Sequence, residues 1–262
     1  MVAGSLAHVR AGVFGLGEAG REIASGLAQA GATVRGFDPA PVDTPDGVHR
    51  VDAPAAAVLD ADIVFAVTSS ADSVTALEQA FDSLPDGIVY ADLATSAPGR
   101  KRELAARCGD RVAFVDVALM TTAPGRGLAI PSLACGPGAH RYAELLAAAE
   151  LPIEVLDGDT GEAATRKLLR SIAIKGLAGV VIEAMRAAEA AGLAEETWAN
   201  LAHQFTVMDE AFLRRLVDGT PLHAERRFHE MEAAHELLAE LGIDPVMTEG
   251  TVEHLRRMRN NG

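Results

Sequence analysis

Three glycines in the run Gly15-Leu16-Gly17-Glu18-Ala19-Gly20 are spaced so that a backbone loop can hold a phosphate. Gly15 permits a tight turn, Gly17 leaves bare backbone where an anion approaches, and Gly20 lets a following helix pack closely on the preceding strand. The amino end of that helix adds unpaired N–H groups and the positive end of its dipole. Asp38 stands 18 residues after Gly20. A carboxylate there accepts hydrogen bonds from both hydroxyls of a ribose and repels a 2′-phosphate, so the chemistry expected is binding of NAD, with NADP less favoured. A glycine run alone is a weak signal in a chain with 25 glycines. Its meaning depends on the elements around it.

Those elements are in register. Val9 to Phe14 read as a buried strand, Arg21 to Ala30 place Ile23, Leu27 and Ala30 on one helical face, and Thr33 to Phe37 read as a second strand ending at Asp38. Further strands are expected near Ile63, Ile88, Val112, Leu133 and Ile153, and further helices near Asp72, Arg100 and Tyr142. This alternation predicts an α/β Rossmann-type amino-terminal domain with a mainly parallel sheet. From Glu162 onward the period is helical, with breaks at Gly192, Gly219-Thr220-Pro221 and Gly242-Ile243-Asp244-Pro245. An all-α carboxy-terminal domain of about four helices follows. The expected boundaries are 1–158 for the dinucleotide-binding domain and 159–262 for a helical substrate and dimerisation domain. The stretch Ala163 to Ala191 is long enough for one helix of roughly 40 Å, which needs a partner to pack on.

Composition narrows the function. A chain of 262 residues with 49% hydrophobic content can bury a substantial core, and a net charge of -14 argues against nucleic acid or an anionic membrane as partner. Cys108 and Cys135 have no metal-ligand spacing and read as buried free thiols. His203, Asp209, Glu210 and His235 lack the spacing of a metal site and read as helix-surface charge. Trp198 reads as core or interface rather than a substrate platform. The apolar stretch Ile172 to Ile182 contains Lys175 and is too short to span a bilayer. No long apolar segment precedes the first strand, so no secretory leader is expected and the expected location is cytoplasmic.

The order of motifs resembles the β-hydroxyacid dehydrogenase family, which includes 3-hydroxyisobutyrate and 6-phosphogluconate dehydrogenases and the related imine reductases. The glycine run is similar to the family's GLGxMG, with Ala19 in place of methionine. Val64 to Ser70 looks like the strand and loop that lie along the cofactor, which implicates Thr68, Ser69 and Ser70. Asp92-Leu93-Ala94-Thr95-Ser96-Ala97-Pro98 is similar to the DxSTxxP turn and adds Thr95. The family's DAPVSGG segment corresponds to Asp116-Val117-Ala118-Leu119-Met120-Thr121-Thr122, with Gly125 and Gly136 in register. Met120, Thr121 and Thr122 are thus the substrate-facing residues that the resemblance implies. Threonines there narrow the pocket and add hydroxyl donors where the family offers bare backbone.

The resemblance also places a catalytic lysine early in the interdomain helix, and Lys167, after Gly158-Asp159-Thr160-Gly161, is the matching residue. Only Lys101, Lys167 and Lys175 occur in this arginine-rich chain. Arginine does not give up a proton near neutral pH, whereas a partly desolvated lysine can. Lys167 is therefore expected to assist proton transfer while a hydride moves to or from the nicotinamide. Lys175 reads as a charge that senses an anion or balances a buried acid. Ser171 stands where the family has a substrate-holding asparagine, and His229 opens a segment spaced like KDLxLA. Together these departures resemble the 6-phosphogluconate-dehydrogenase-like subgroup with a distinct carboxy-terminal domain.

The resulting expectation is an NAD-dependent oxidoreductase acting on a small polar hydroxy acid, alcohol or its carbonyl form, as a homodimer. Two alternatives stand beside it. One is a C=N reductase, although imine reductases generally carry an aspartate or tyrosine where Lys167 stands. The other is a non-catalytic nucleotide-binding sensor, because drifted substrate motifs also suit a degenerate enzyme.

Overall fold

The computed structural model describes residues 5–260. Its chain divides into two compact units, one up to Arg170 and one from Ser171. The first unit contains β1 (Arg10–Phe14), α1 (Glu18–Gln29), β2 (Thr33–Phe37), β3 (Val48–Arg50), α2 (Pro54–Ala57), β4 (Ile63–Ala66), α3 (Ser73–Phe81), β5 (Val89–Asp92), α4 (Pro98–Cys108), β6 (Ala113–Leu119), β7 (Ser132–Cys135), α5 (Ala139–Leu146) and β8 (Ile153–Val155). The strands form one eight-stranded sheet in the order β3-β2-β1-β4-β5-β6-β7-β8. Every pairing is parallel except β6 with β7. The expected Rossmann-type sheet is therefore present. The short strand β3 is an addition: its sequence, Val-His-Arg, carries no apolar run that would mark it.

Both faces of the sheet are buried, so the strands read as continuous apolar runs rather than alternating ones. Val13, Phe65, Ala91 and Val115 share one cross-strand row and pack toward Ile23 and Leu27 of α1 and Tyr142 and Leu146 of α5. On the other face Phe14, Tyr90 and Phe114 pack with Leu77 of α3 and Leu104 of α4. There Tyr90 stacks on Phe114 at 6.3 Å and meets Phe14 edge-on at the same separation. Truncating any of these buried aromatics to alanine costs about 3–5 kcal/mol.

Helix α6 (Glu162–Ala190) starts in the first unit and continues into the second. The second unit then holds α7 (Ala194–Thr206), α8 (Glu210–Leu222), α9 (Ala224–Glu240) and α10 (Val246–Asn260). The helical period and the breaks at Gly192 and Gly242 are found as expected. The break expected at Gly219-Thr220-Pro221 is displaced, because α8 runs through these residues and stops only after Leu222. A further break falls before α8, where the Asp209 carboxylate accepts the Phe212 N–H at 2.8 Å and caps the helix. Glu183 of α6, 8% exposed, accepts from Met247 N–H, Thr248 N–H and the Thr248 hydroxyl, fixing the start of α10. Among the described residues no helix is long and apolar enough to cross a membrane.

Candidate functional site

The glycine loop joins β1 to α1 at the carboxyl end of the sheet. Gly15 has φ +86°, and a Cβ there would sit 2.4 Å from the Val67 carbonyl oxygen. A Cβ on Gly20 would sit 1.9 Å from the Gly15 carbonyl oxygen, so helix and turn touch through bare backbone. Around Gly17 the opposite holds: a Cβ would meet nothing within 4 Å, leaving the helix start open. Asp38 closes the loop from beside β2. Its Oδ2 accepts the Leu16 N–H at 2.7 Å and its Oδ1 accepts the Ala40 N–H at 2.8 Å. The Arg50 guanidinium donates to the carbonyls of Asp38, Ala40 and Val42, holding the segment after Asp38 in place. An open cavity of about 700 Å³ lies there, lined by Phe37, Asp38, Pro39, Ala40 and Arg50 among others.

Beyond the loop, the ends of β4 and β5 present hydroxyls. The Thr68 Oγ1 and Ser96 Oγ are buried without a hydrogen-bond partner. Thr95 is exposed. Ser69 Oγ donates to the Asp72 carboxylate at 2.6 Å and also accepts the Asp72 N–H, building the turn into α3, while the Ser70 carbonyl accepts from Ser73. Ser69 and Ser70 thus shape the loop, and Thr68 and Ser96 hold buried hydroxyls without hydrogen-bond partners.

Next along the sheet, Asp92 of β5, Asp116 of β6 and Cys135 of β7 are direct cross-strand neighbours. Both carboxylates are fully buried. Lys101 of α4, 1% exposed, reaches between them: Nζ lies 2.8 Å from Asp92 Oδ2 and 3.2 Å from Asp116 Oδ1, and donates to the Asp92 carbonyl at 2.8 Å. Burial pushes the Asp92 carboxyl above its ordinary value, opposed by the Lys101 ammonium. Asp116 Oδ2 accepts the N–H groups of Gly161 and Ala164 at 3.1 and 3.0 Å, so this carboxylate caps α6. Four residues on, the Met120 carbonyl accepts from Arg170 of the same helix. Lys167, half-buried, lies one turn after Ala164 and one turn before Arg170. It is therefore carried between two anchors to the end of β6. Thr121 and Thr122 are exposed in the segment that follows, with the Thr121 hydroxyl donating to the Thr122 carbonyl at 3.2 Å.

Matches to known sequences agree with this geometry. Residues 10–123 match the NAD binding domain of 6-phosphogluconate dehydrogenase. Residues 188–258 match a domain of unknown function, DUF1932. The amino-terminal unit thus carries a match to the cofactor domain of 6-phosphogluconate dehydrogenase, and the carboxy-terminal region carries the DUF1932 match. An uncharacterised 28.5 kDa protein of Methanothermus fervidus is 26% identical over 170 residues, 62% of this chain. That alignment spans 63% of the relative's own length. A conserved protein of unknown function, described as structurally similar to 3-hydroxyacid dehydrogenases, is 26% identical with a TM-score of 0.59 over 96% of this chain and 97% of that one. An imine reductase from Myxococcus stipitatus in complex with NADP+ shares the fold at 18% identity, with a TM-score of 0.81 over 96% of this chain and 94% of that one. A V8 variant of it in complex with NAD+ gives 19% and 0.80 over 97% and 94%.

The segment 10–123 thus matches a nicotinamide-cofactor domain of the oxidoreductase type, and its residues fit such a group: an open Gly17, a capped loop at Asp38, and buried hydroxyls at Thr68 and Ser96. In the second unit Ser171 is half-buried in α6 and Lys175 is exposed. His229 lies on an exposed face of α9, its ring nitrogens 3.0 Å from Glu225 and 3.1 Å from Glu232. Trp198, on α7, is 62% exposed and so is not a core residue. Both cysteines are buried and free.

Sequence reasoning missed the role of Lys101. A signal for Lys101 was available: two apolar strands, Val89–Asp92 and Ala113–Leu119, each carry an aspartate among buried residues, and buried acids require a counter-charge.

Proposed function

We propose that the protein is an NAD-dependent oxidoreductase that interconverts a small polar hydroxy acid or alcohol with its carbonyl form, with Lys167 as the acid/base group. The observation that carries this reading is the position of Lys167 on α6 between the Asp116–Ala164 and Met120–Arg170 contacts, at the carboxyl end of the sheet. Ligands of open parallel sheets bind at that end.

In this reading the backbone of Gly15 to Gly20 cradles the pyrophosphate and Asp38 accepts from the adenosine ribose, which favours NAD over NADP. Thr68, Ser69, Ser70 and Thr95 border the cofactor, with Leu16, Glu18 and Ala19 shaping the loop. When bound, the nicotinamide supplies the hydride chemistry. Lys167 holds or delivers a proton at the substrate oxygen, and Met120, Thr121 and Thr122 orient the polar substrate. Ser171 and His229 are proposed to complete its recognition.

A homodimer is part of the reading. Every exposed large hydrophobic side chain among the described residues, except Leu59, falls between positions 169 and 246. Leu169, Ile172, Leu177, Val180 and Ile182 expose apolar surface on α6 beside the charges of Arg170 and Lys175, and an exposed apolar patch of this kind marks an interaction surface. An apolar cavity of about 390 Å³ has exposed Val180, Leu193 and Leu237 among its lining. Light scattering that returned a monomer would remove the dimer from the reading.

The test is NADH and NADPH oxidation against a panel of small carbonyl acids, aldehydes and ketones, with cyclic imines alongside. Turnover of a carbonyl with NADH is expected, and Lys167→Ala should lower kcat by about 10²–10⁴-fold while NADH still binds. Turnover of imines alone, or a Lys167→Ala variant as active as the parent, would overturn the proposal.

A further inference from the structure

The proposed proton and hydride steps do not use the Lys101 ammonium, yet among the described residues it is the most deeply buried cation, with two carboxylates as neighbours. Replacing such a cluster by packed apolar side chains is often neutral or stabilising, so stability alone does not account for it. Its connections point elsewhere. Asp92 Oδ1 accepts the Ala94 N–H at 3.3 Å and bends the turn that leads to Thr95. Asp116 is divided between two tasks: Oδ1 faces Lys101 and Oδ2 holds the first turn of α6. The Cys135 sulfur, 3.5 Å from Asp116, accepts the Ala163 N–H at 3.3 Å and adds a second hold on the same turn. One ammonium therefore links the cofactor-side turn, β6 and the start of the helix that carries Lys167.

We propose that Lys101 is a positioning residue: by orienting Asp116 it sets the register of α6 on β6, and through that register the place of Lys167. The inference rests on the acid/base reading of Lys167 given above. The amino end of α6 supplies donors to Asp116, and the helix dipole favours a negative charge there. Lys101 fixes which oxygen meets those donors. An asparagine at 116 keeps the shape but has one acceptor, so its NH2 must face either the ammonium or the helix amides, and one of the two connections fails.

The chain's three lysines make the test direct. Reductive methylation with 13C-formaldehyde labels exposed amines, and Lys167→Arg and Lys175→Arg assign the two expected lysine signals. In the wild-type protein Lys101 should stay unlabelled, and the Gly161 and Ala164 amides should resist hydrogen exchange although first-turn amides have no partner within a helix. Labelling of native Lys101, or free exchange at both amides, overturns the proposal without any variant. In Asp116→Asn and in Lys101→Met the Lys167 signal should shift while that of Lys175 stays in place. Exchange at 161–164 should become about tenfold to a hundredfold faster, and NADH affinity should change by less than about threefold. A variant that is folded and binds NADH, with a Lys167 signal superimposing on the parent's, shows a merely structural role. These readouts need no substrate, so an active Lys167→Ala would refute the acid/base reading and leave the positioning result standing.

Discussion

Lys101→Met is the perturbation that the buried cluster constrains most tightly. Methionine preserves the length and apolar body of the side chain but removes a cation 2.8 Å from one carboxylate and 3.2 Å from another. Asp92 and Asp116 are then left facing each other across the sheet, fully buried, with the shared ammonium gone. Removing one partner of a buried charge cluster costs about 3–5 kcal/mol. For a unit of this size that is a fall of roughly 6–20 °C in Tm. The pH dependence has a definite sign. Burial already raises the Asp92 carboxyl above 3.8, and Lys101 opposes the rise most strongly, ahead of the Ala94 amide. A carboxyl raised in the folded state contributes stability below its unfolded value and loses it as pH climbs through the folded one. Without Lys101 the folded value climbs further, so the deficit of the variant should be larger at about pH 8 than at about pH 5, where a proton can neutralise Asp92. Thermal unfolding followed by circular dichroism, wild type against variant at both pH values, reads this difference. A double variant that adds Asp92→Asn should recover part of the loss at the higher pH. A deficit that is constant with pH, or larger in acid, would refute the charge argument.

Gly20→Ala places a Cβ 1.9 Å from the Gly15 carbonyl oxygen, so the loop must yield by at least about 1 Å. At about 1–3 kcal/mol of overpacking, NADH affinity in a fluorescence titration should fall roughly 5- to 150-fold; an unchanged affinity would mean the loop does not touch the cofactor. Burial raises Glu183, but hydrogen bonds from Thr248 and the Met247 amide prevail and hold its carboxyl below 4.5. Its stabilisation is present above pH 4.5 and lost as pH falls through the lower folded value, so Glu183→Gln should lower Tm near neutrality and lose that deficit in acid. Burial pushes the Cys108 thiol up to about 12 and also raises Cys135, so a disulfide reagent at neutral pH should titrate no thiol in the native protein and both in guanidinium; rapid native labelling would contradict the packing.

Much of this was readable from the chain. The run from Val9 to Asp38 shows strand, turn, helix and strand because every local preference agrees there: apolar strands, glycines at the turn, one apolar helix face. The span of α6 was equally plain from its length without a break. What escaped depends on tertiary register. Three residues at Val48–Arg50 pair with β2 only because the sheet edge is available to them. The break expected at Gly219-Thr220-Pro221 falls after Leu222, because α8 runs through Pro221 at the loss of one N–H to carbonyl bond and ends one residue later. Lys101 looked like one of three ordinary lysines. Its role exists only because Asp92 and Asp116 fall side by side on β5 and β6, a pairing that no local pattern states.

The cap on α6 also bears on the order in which the chain can fold as it is made. Asp116 is buried in the sheet, but the Ala164 amide that satisfies it lies 48 residues downstream. At about 5–20 residues per second, a ribosome delivers that amide some 2–10 s after the aspartate. Through this interval β6 carries a carboxylate whose helix donors do not yet exist, so the sheet reaches its final packing only when the first turn of α6 emerges. The nucleotide-binding half is thus finished by the helix that opens the other half.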